Sequence, residues 1–326
     1  MKKIVSVFLC LVLLIGSIIL ASCSDEQNGK KNAEIKIVTT IFPIYDWVKN
    51  ITEGVDGVEV SMLINSGADL HSFQPSADDI ISIQTSDVFI YVGGESDEWA
   101  EDATENSQNE KQRTLNLLEL LGDSAKEEEL VEGMQGEEEE DEEGEEEAEY
   151  DEHIWLSLKN ADELVEEITE AICEVDSKNS DAYKANAKAY EEKLEALDDE
   201  YESCVSSAKT KTLLFGDRFP FRYLTDDYDI DYYAAFIGCS AETEASFETV
   251  SFLAKKLDEL SLKYVITLEG TEHKLAETII NSSKSKNAKI LTMNSMQSIT
   301  ADDLKNNISY LGIMQENLET LKTALN

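Results

Sequence analysis

Between Glu137 and Glu152, thirteen of sixteen side chains are carboxylates. Repulsion at that density outweighs anything the interspersed Gly144, Ala148 and Tyr150 could return by burial, so no packed core passes through this stretch. The expectation is a disordered acidic loop over 127–152. Whatever folds must be assembled from the chain on either side of it.

On both sides, short runs rich in Val and Ile alternate with amphipathic ones. Before the acidic run, "EIKIVTT" (34–40), "VEVSMLI" (58–64) and "DVFIYVG" (87–93) read as strands. A helix starts at "PSADDIISIQT", with Ser76 as N-cap and Asp79 three residues on. After it, "KTLLFG" (211–216), "DIDYYAAFI" (229–237), "KYVITLE" (263–269) and "AKILTM" (288–293) read as strands, with helices over 247–260, 272–282 and 301–325. Between the two sets, Tyr183, Ala187, Tyr190, Leu194, Leu197, Tyr201 and Cys204 recur at threes and fours without a proline or glycine. That stripe is one helix over 181–209, about 40 Å long. The pattern is α/β, with two Rossmann-like lobes of parallel sheet (34–180 and 210–326) joined by a long rigid helix.

The first residues, "MKKIVSVFLCLVLLIGSIILASCSDEQ", set two lysines ahead of an apolar run, which reads as a secretory signal over 1–22. A retained membrane anchor is the alternative. Leu20-Ala21-Ser22-Cys23 resembles a bacterial lipobox. Cys23 would carry the lipid, and residues 23–33 would be a flexible tether. That places the protein on the extracytoplasmic face of a bacterial cell membrane. Cys173, Cys204 and Cys239 remain, an odd number in no zinc-ribbon or redox spacing, and read as buried free thiols. The net charge of −42 excludes nucleic acid as a partner and suits cations.

Ligands of open α/β sheets lie beyond the carboxyl ends of the strands. His71 follows the second strand, Asp217 follows "KTLLFG", Glu269 closes "KYVITLE", and Asn294 follows "AKILTM". His153 stands where the acidic run ends, beside Trp155. Two imidazoles from one lobe facing oxygens from the other would suit zinc, or manganese with more oxygens. Each residue also has an ordinary reading as a turn, cap or surface group. The remaining histidine, His273, reads as exposed in the first turn of a helix.

"GADLHSFQPSADDI" with "DVFIYVGGESDEW", then "DEHIWLSLKNA", then "DAYKANAKAYEEKLEALD", then "SAETEASFETV" resemble, in order, the motifs of the zinc and manganese solute-binding lipoproteins of ABC transporters. The resemblance implies His71 and His153 as metal ligands. It also implies a third histidine, but Arg218 stands at that place in "GDRFPFRYL" and cannot bind a metal. Asp217 beside it is the substitute. The family's last carboxylate ligand falls near Asn294, which is followed by Gln297, with Glu269 and Glu244 as alternates.

The implied function is capture of zinc, or of manganese or iron, for a membrane permease and its ATPase, by a monomer without enzymatic activity. An adhesive lipoprotein with a weakened site and a secreted zinc hydrolase are the other readings. No His-Glu-x-x-His motif accompanies the histidines to support the hydrolase.

Overall fold

A computed structural model describes residues 34–136, 149–240 and 244–326. The signal segment, Cys23 and its tether, and the centre of the acidic run lie outside the described residues.

Four strands, β1 (Ile35–Thr39), β2 (Val58–Met62), β3 (Val88–Tyr91) and β4 (Arg113–Asn116), form a parallel sheet in the order β2-β1-β3-β4. The register pairs Ile37 with Val60 and Val88, and Ile90 with Leu115. Parallel neighbours require crossovers. These are α1 (Phe42–Ile51), α2 (Ala77–Gln84) and α3 (Trp99–Glu105). The central strands are the apolar ones, and β3 is buried throughout. The edge strand β4, "RTLN", carries one buried apolar residue, too little for an alternation to show in sequence. The capping box at Ser76 forms as expected: Ser76 Oγ accepts from Asp79 N–H, and Asp79 Oδ2 accepts from Ser76 N–H at 2.8 Å.

After the short α4 (Leu117–Leu121) come two antiparallel-connected long helices, α5 (Leu158–Val175) and α6 (Ser180–Ser206). All seven residues of the predicted stripe on α6 are buried. The second set of strands comprises β5 (Thr212–Leu214), β6 (Arg218–Phe219), β7 (Asp231–Tyr233), β8 (Phe236–Ile237), β9 (Tyr264–Leu268) and β10 (Lys289–Met293). They pair in parallel as β5–β7, β6–β8 and β9–β10, and a bridge from Phe215 to Ile266 joins the first and last of these pairs. The single strand expected over 229–237 is divided at Ala234 and Ala235, where Ala235 N–H donates to Asp217 and Ala235 C=O accepts from Gln135.

Helices α7 (Arg222–Asp227), α8 (Phe247–Glu259) and α9 (Lys274–Ser282) precede β10. The helix expected over 301–325 is two, α10 (Ala301–Lys305) and α11 (Tyr310–Ala324). The break falls at Asn307, whose φ is 58°, and α11 restarts on the Ser309 cap.

One apolar cluster runs from Ile37 and Trp47 through Leu164, Leu194 and Tyr201 to Phe215, Met293 and Tyr310. The two sheet regions share it within one compact unit, residues 35–326, and each also has an apolar cluster of its own, around Phe89 and Ile83 in the first and around Leu253 and Val265 in the second. Asp46 sits at the junction: its Oδ2 accepts from Tyr310 N–H at 3.2 Å on α11 and from Tyr190 hydroxyl on α6. Cys173, Cys204 and Cys239 are free thiols. Among the described residues, no helix is long and apolar enough to cross a membrane.

The flanks of the acidic run differ from the disordered loop expected over 127–152. Glu127 bridges Tyr150, Gln135 bridges Phe236, and Arg222 pairs with Glu129. Asp151 and Glu152 are buried. A carboxylate beside fixed donors behaves unlike one among other carboxylates, and composition does not distinguish the two.

Candidate metal centre

His71 lies in a single 3-10 turn, Leu70–Ser72, after β2, with Asp69 as N-cap accepting from His71 N–H at 3.1 Å. His153 begins the corresponding turn Ile154–Leu156, and its ring is fully buried. Their Nε2 atoms are 3.2 Å apart. Two nitrogens bound to one tetrahedral zinc at about 2.05 Å would be separated by about 3.3 Å. The imidazoles thus already stand at the spacing of a shared ion.

The outer nitrogens explain why both inner ones face inward. His153 Nδ1 is 2.9 Å from Asp151 Oδ1, which also accepts His153 N–H at 2.8 Å. His71 Nδ1 is 2.8 Å from Ser96 Oγ and 3.3 Å from Glu152 Oε2. Buried Asp151 at His153, and half-buried Ser96 with Glu152 nearby at His71, favour the tautomer with the proton on Nδ1, which leaves each Nε2 lone pair directed at the gap. Glu152 is itself held. Burial would raise its carboxyl, but hydrogen bonds from His71 and Ser96 outweigh it and keep the group below its ordinary value. Its approach requires Gly94, where φ is +82° and a Cβ would stand 2.5 Å from Glu152 Oε1.

Cys239 is the third group of the cluster. Its Sγ and one ring nitrogen of each histidine lie within 4.8 Å of one another. Gly238 brings it there, since a Cβ at that position would meet His153 Cε1 at 2.8 Å. Burial, and then Glu128, Asp151 and Glu152, push the thiol far up. A cation bound there would favour the thiolate form.

Gln297 is the fourth. Its Nε2 is 3.0 Å from each imidazole Nε2 and 3.3 Å from Asp69 Oδ1. It faces the imidazoles from the side where Asn294 was expected. Asn294 Oδ1 instead accepts from Met296 N–H at 2.8 Å, closing the turn that presents Gln297.

The other oxygen candidates are committed elsewhere. Asp217 accepts from Arg218 N–H and, at 3.1 Å, from Leu268 N–H, clipping the end of β5 to β9. Glu269 accepts from Ser295 N–H and Oγ, each at 2.8 Å, and so anchors the Gln297 loop. Glu244 is exposed and is not in the cluster. Asp217 and Glu269 follow strands as expected, and each accepts a distant backbone N–H. His273 is half-buried and not fully exposed, its Nδ1 2.9 Å from Thr267 Oγ1.

Arg218 does not enter the ion position. Its Nη2 donates to Asp69 Oδ2 at 2.7 Å, and Nη1 reaches Ser240 C=O. Burial would raise Asp69, yet the guanidinium holds that carboxyl below its ordinary value. The pair places a neutralised bridge between the His71 turn and β6. Trp155 Nε1 donates to Ser295 C=O at 2.8 Å, a second bridge between the same halves.

Cys239 and Gln297 were legible only as a strand-end cysteine after glycine and a glutamine near Asn294. Asp151 and Glu152 were hidden in the acidic run.

The zinc-uptake complex component A family model (ZnuA, described as periplasmic) matches residues 37–324. The zinc-binding lipoprotein AdcA of Streptococcus pneumoniae serotype 4 is 30% identical over 310 residues, covering 94% of this chain and 58% of that protein. The high-affinity zinc uptake system protein ZnuA of Bacillus subtilis is 28% identical over 314 residues, covering 94% of each. The crystal structure of the Zn(II)-bound ZnuA-like domain of S. pneumoniae AdcA matches with TM-score 0.69 and 27% identity, over 89% of this chain and 98% of that one. The chain spans about half the length of the AdcA relatives it matches.

Proposed function

Because this chain belongs to the zinc-uptake complex component A family, we propose that it captures zinc outside the cytoplasmic membrane and passes it to an ABC-type permease driven by an ATPase. The observation that carries this reading is the pair of inward-facing imidazole nitrogens at 3.2 Å, with the outer nitrogen of His153 against Asp151 and that of His71 against Ser96. The chemistry is coordination of a cargo ion. His71 and His153 supply one nitrogen each, Cys239 closes from within 4.8 Å to add a thiolate, and the Gln297 side of the cavity completes the set.

That donor set favours zinc over manganese. Imidazole and thiolate suit zinc, whereas manganese prefers carboxylate, carbonyl and water. Asp217 and the alternate Glu269 accept backbone N–H groups and lie outside the His71, His153 and Cys239 cluster. Lipid attachment at Cys23 would hold the protein, as a monomer, at the membrane face where the permease lies. The continuous core across α6 makes lobe rotation on binding small.

Zinc titration against a competing chelator, with manganese in parallel, tests the reading. One-to-one zinc binding, weaker manganese binding and loss of zinc binding in His71→Ala are expected. Absence of zinc binding by the wild-type protein would leave a lipoprotein with a decayed site. Metal-dependent hydrolysis of ester or peptide substrates would point to a catalytic zinc.

A further inference from the structure

We infer that Gln297 is a reversible ligand: its side-chain amide closes the metal-free site with its NH2 group and turns over to present Oε1 when the ion enters. The inference rests on the zinc-capture reading and adds a residue-level switch to it.

The amide orientation follows from its neighbours, which is how such orientations are assigned. With both Nδ1 atoms donating outward, the two Nε2 atoms are acceptors, as is Asp69 Oδ1. All three surround Gln297 Nε2, at 3.0, 3.0 and 3.3 Å. Only a donor fits there. An empty gap would leave two imidazole lone pairs facing each other 3.2 Å apart in a buried place, and the NH2 group satisfies both.

The same atom marks a ligand position. The three nitrogens form a near-equilateral triangle with edges of 3.0–3.2 Å, close to the about 3.3 Å edge of a tetrahedral zinc set. An amide nitrogen has no lone pair to give a metal, but an amide oxygen at that vertex does. Rotation of the terminal amide by half a turn exchanges the two without moving the backbone.

Ser295 makes both orientations satisfiable. Its Oγ is 3.1 Å from Gln297 Oε1 and 2.8 Å from Glu269 Oε1. A hydroxyl has one proton and two lone pairs. In the metal-free state its one proton is shared between Glu269 Oε1 and Gln297 Oε1, and Glu269 also keeps Ser295 N–H and the Ser298 hydroxyl. In the loaded state it donates to Glu269 and accepts from the turned NH2. Asp69 keeps the Arg218 guanidinium in both orientations and gains the nearby cation.

The test is zinc affinity of the full-length protein, wild type against Gln297→Ala and the volume-conserving Gln297→Met, together with the side-chain amide resonance of Gln297 in 15N-glutamine-labelled protein. A ligand that turns over predicts at least about tenfold weaker zinc binding in both variants and a shifted amide pair when zinc is added. It also predicts that Gln297→Glu, which has no NH2 to offer the imidazoles, has a lower metal-free Tm. Tighter binding in Gln297→Ala would make the amide a plug that the ion must expel, and affinity within about threefold of wild type would make it a bystander. Either result, or an amide resonance unmoved by zinc, overturns the inference. Wild-type protein that binds no zinc would instead fail the functional reading beneath it.

Discussion

Replacing Asp151 by Asn tests how the site is built more sharply than removing a ligand. Asp151 Oδ1 receives both the backbone N–H and Nδ1–H of His153, at 2.8 and 2.9 Å, from a buried position. Asn preserves shape and one carbonyl acceptor but removes the charge. The proton is then less firmly held on Nδ1, the imidazole is less basic, and the charge that offsets a bound cation is lost. Groups in this position change metal affinity by about 10–100-fold. By linkage at saturating zinc, each tenfold loss removes about 1.4 kcal/mol of metal-dependent stabilisation, or roughly 2–3 °C of zinc-induced Tm rise for a domain of this size. Without metal the sign reverses or vanishes, because a buried charge has been removed. The assay is differential scanning calorimetry with and without zinc, paired with chelator competition. Asp258→Asn serves as a control outside the cluster, a half-buried residue whose carboxylate accepts Lys284 N–H. An Asp151→Asn protein whose zinc affinity stays within about threefold of wild type, with an unchanged zinc-induced Tm rise, would refute the claim that the Asp151–His153 contact prepares the ligand.

Burial raises Asp97 to about 7 and Asp46 and Asp227 to about 6. A carboxyl raised in the folded state contributes stability that is lost as pH rises through its folded value, so metal-free Tm should be higher at pH 6 than at pH 8; a flat or opposite profile in calorimetry would show these groups to be hydrated. Replacing 137–148 with an equally long Gly-Ser segment should leave zinc affinity within about threefold, because the base of this run is already closed by the Glu127–Tyr150 bridge; a chelator titration showing a larger loss would make the carboxylates part of capture.

The sequence alone determined which stretches could be strand or helix, because periodicity and composition are local. The α6 stripe is buried residue for residue as its spacing requires, and the central strands are the Val- and Ile-rich ones. The two histidines stood out because they follow motifs whose spacing is also local. The tertiary structure decided the rest of the centre. A strand-end carboxylate goes to whichever N–H lies nearest, so Asp217 took Leu268 and Glu269 took Ser295, partners 51 and 26 residues away. The same folding carried Cys239 and Gln297 to the imidazoles across 86 and 144 residues from His153, and turned Asp151 and Glu152 from solvated charge into buried acceptors. Those outcomes depend on competition between distant donors for one oxygen, which no window of sequence contains.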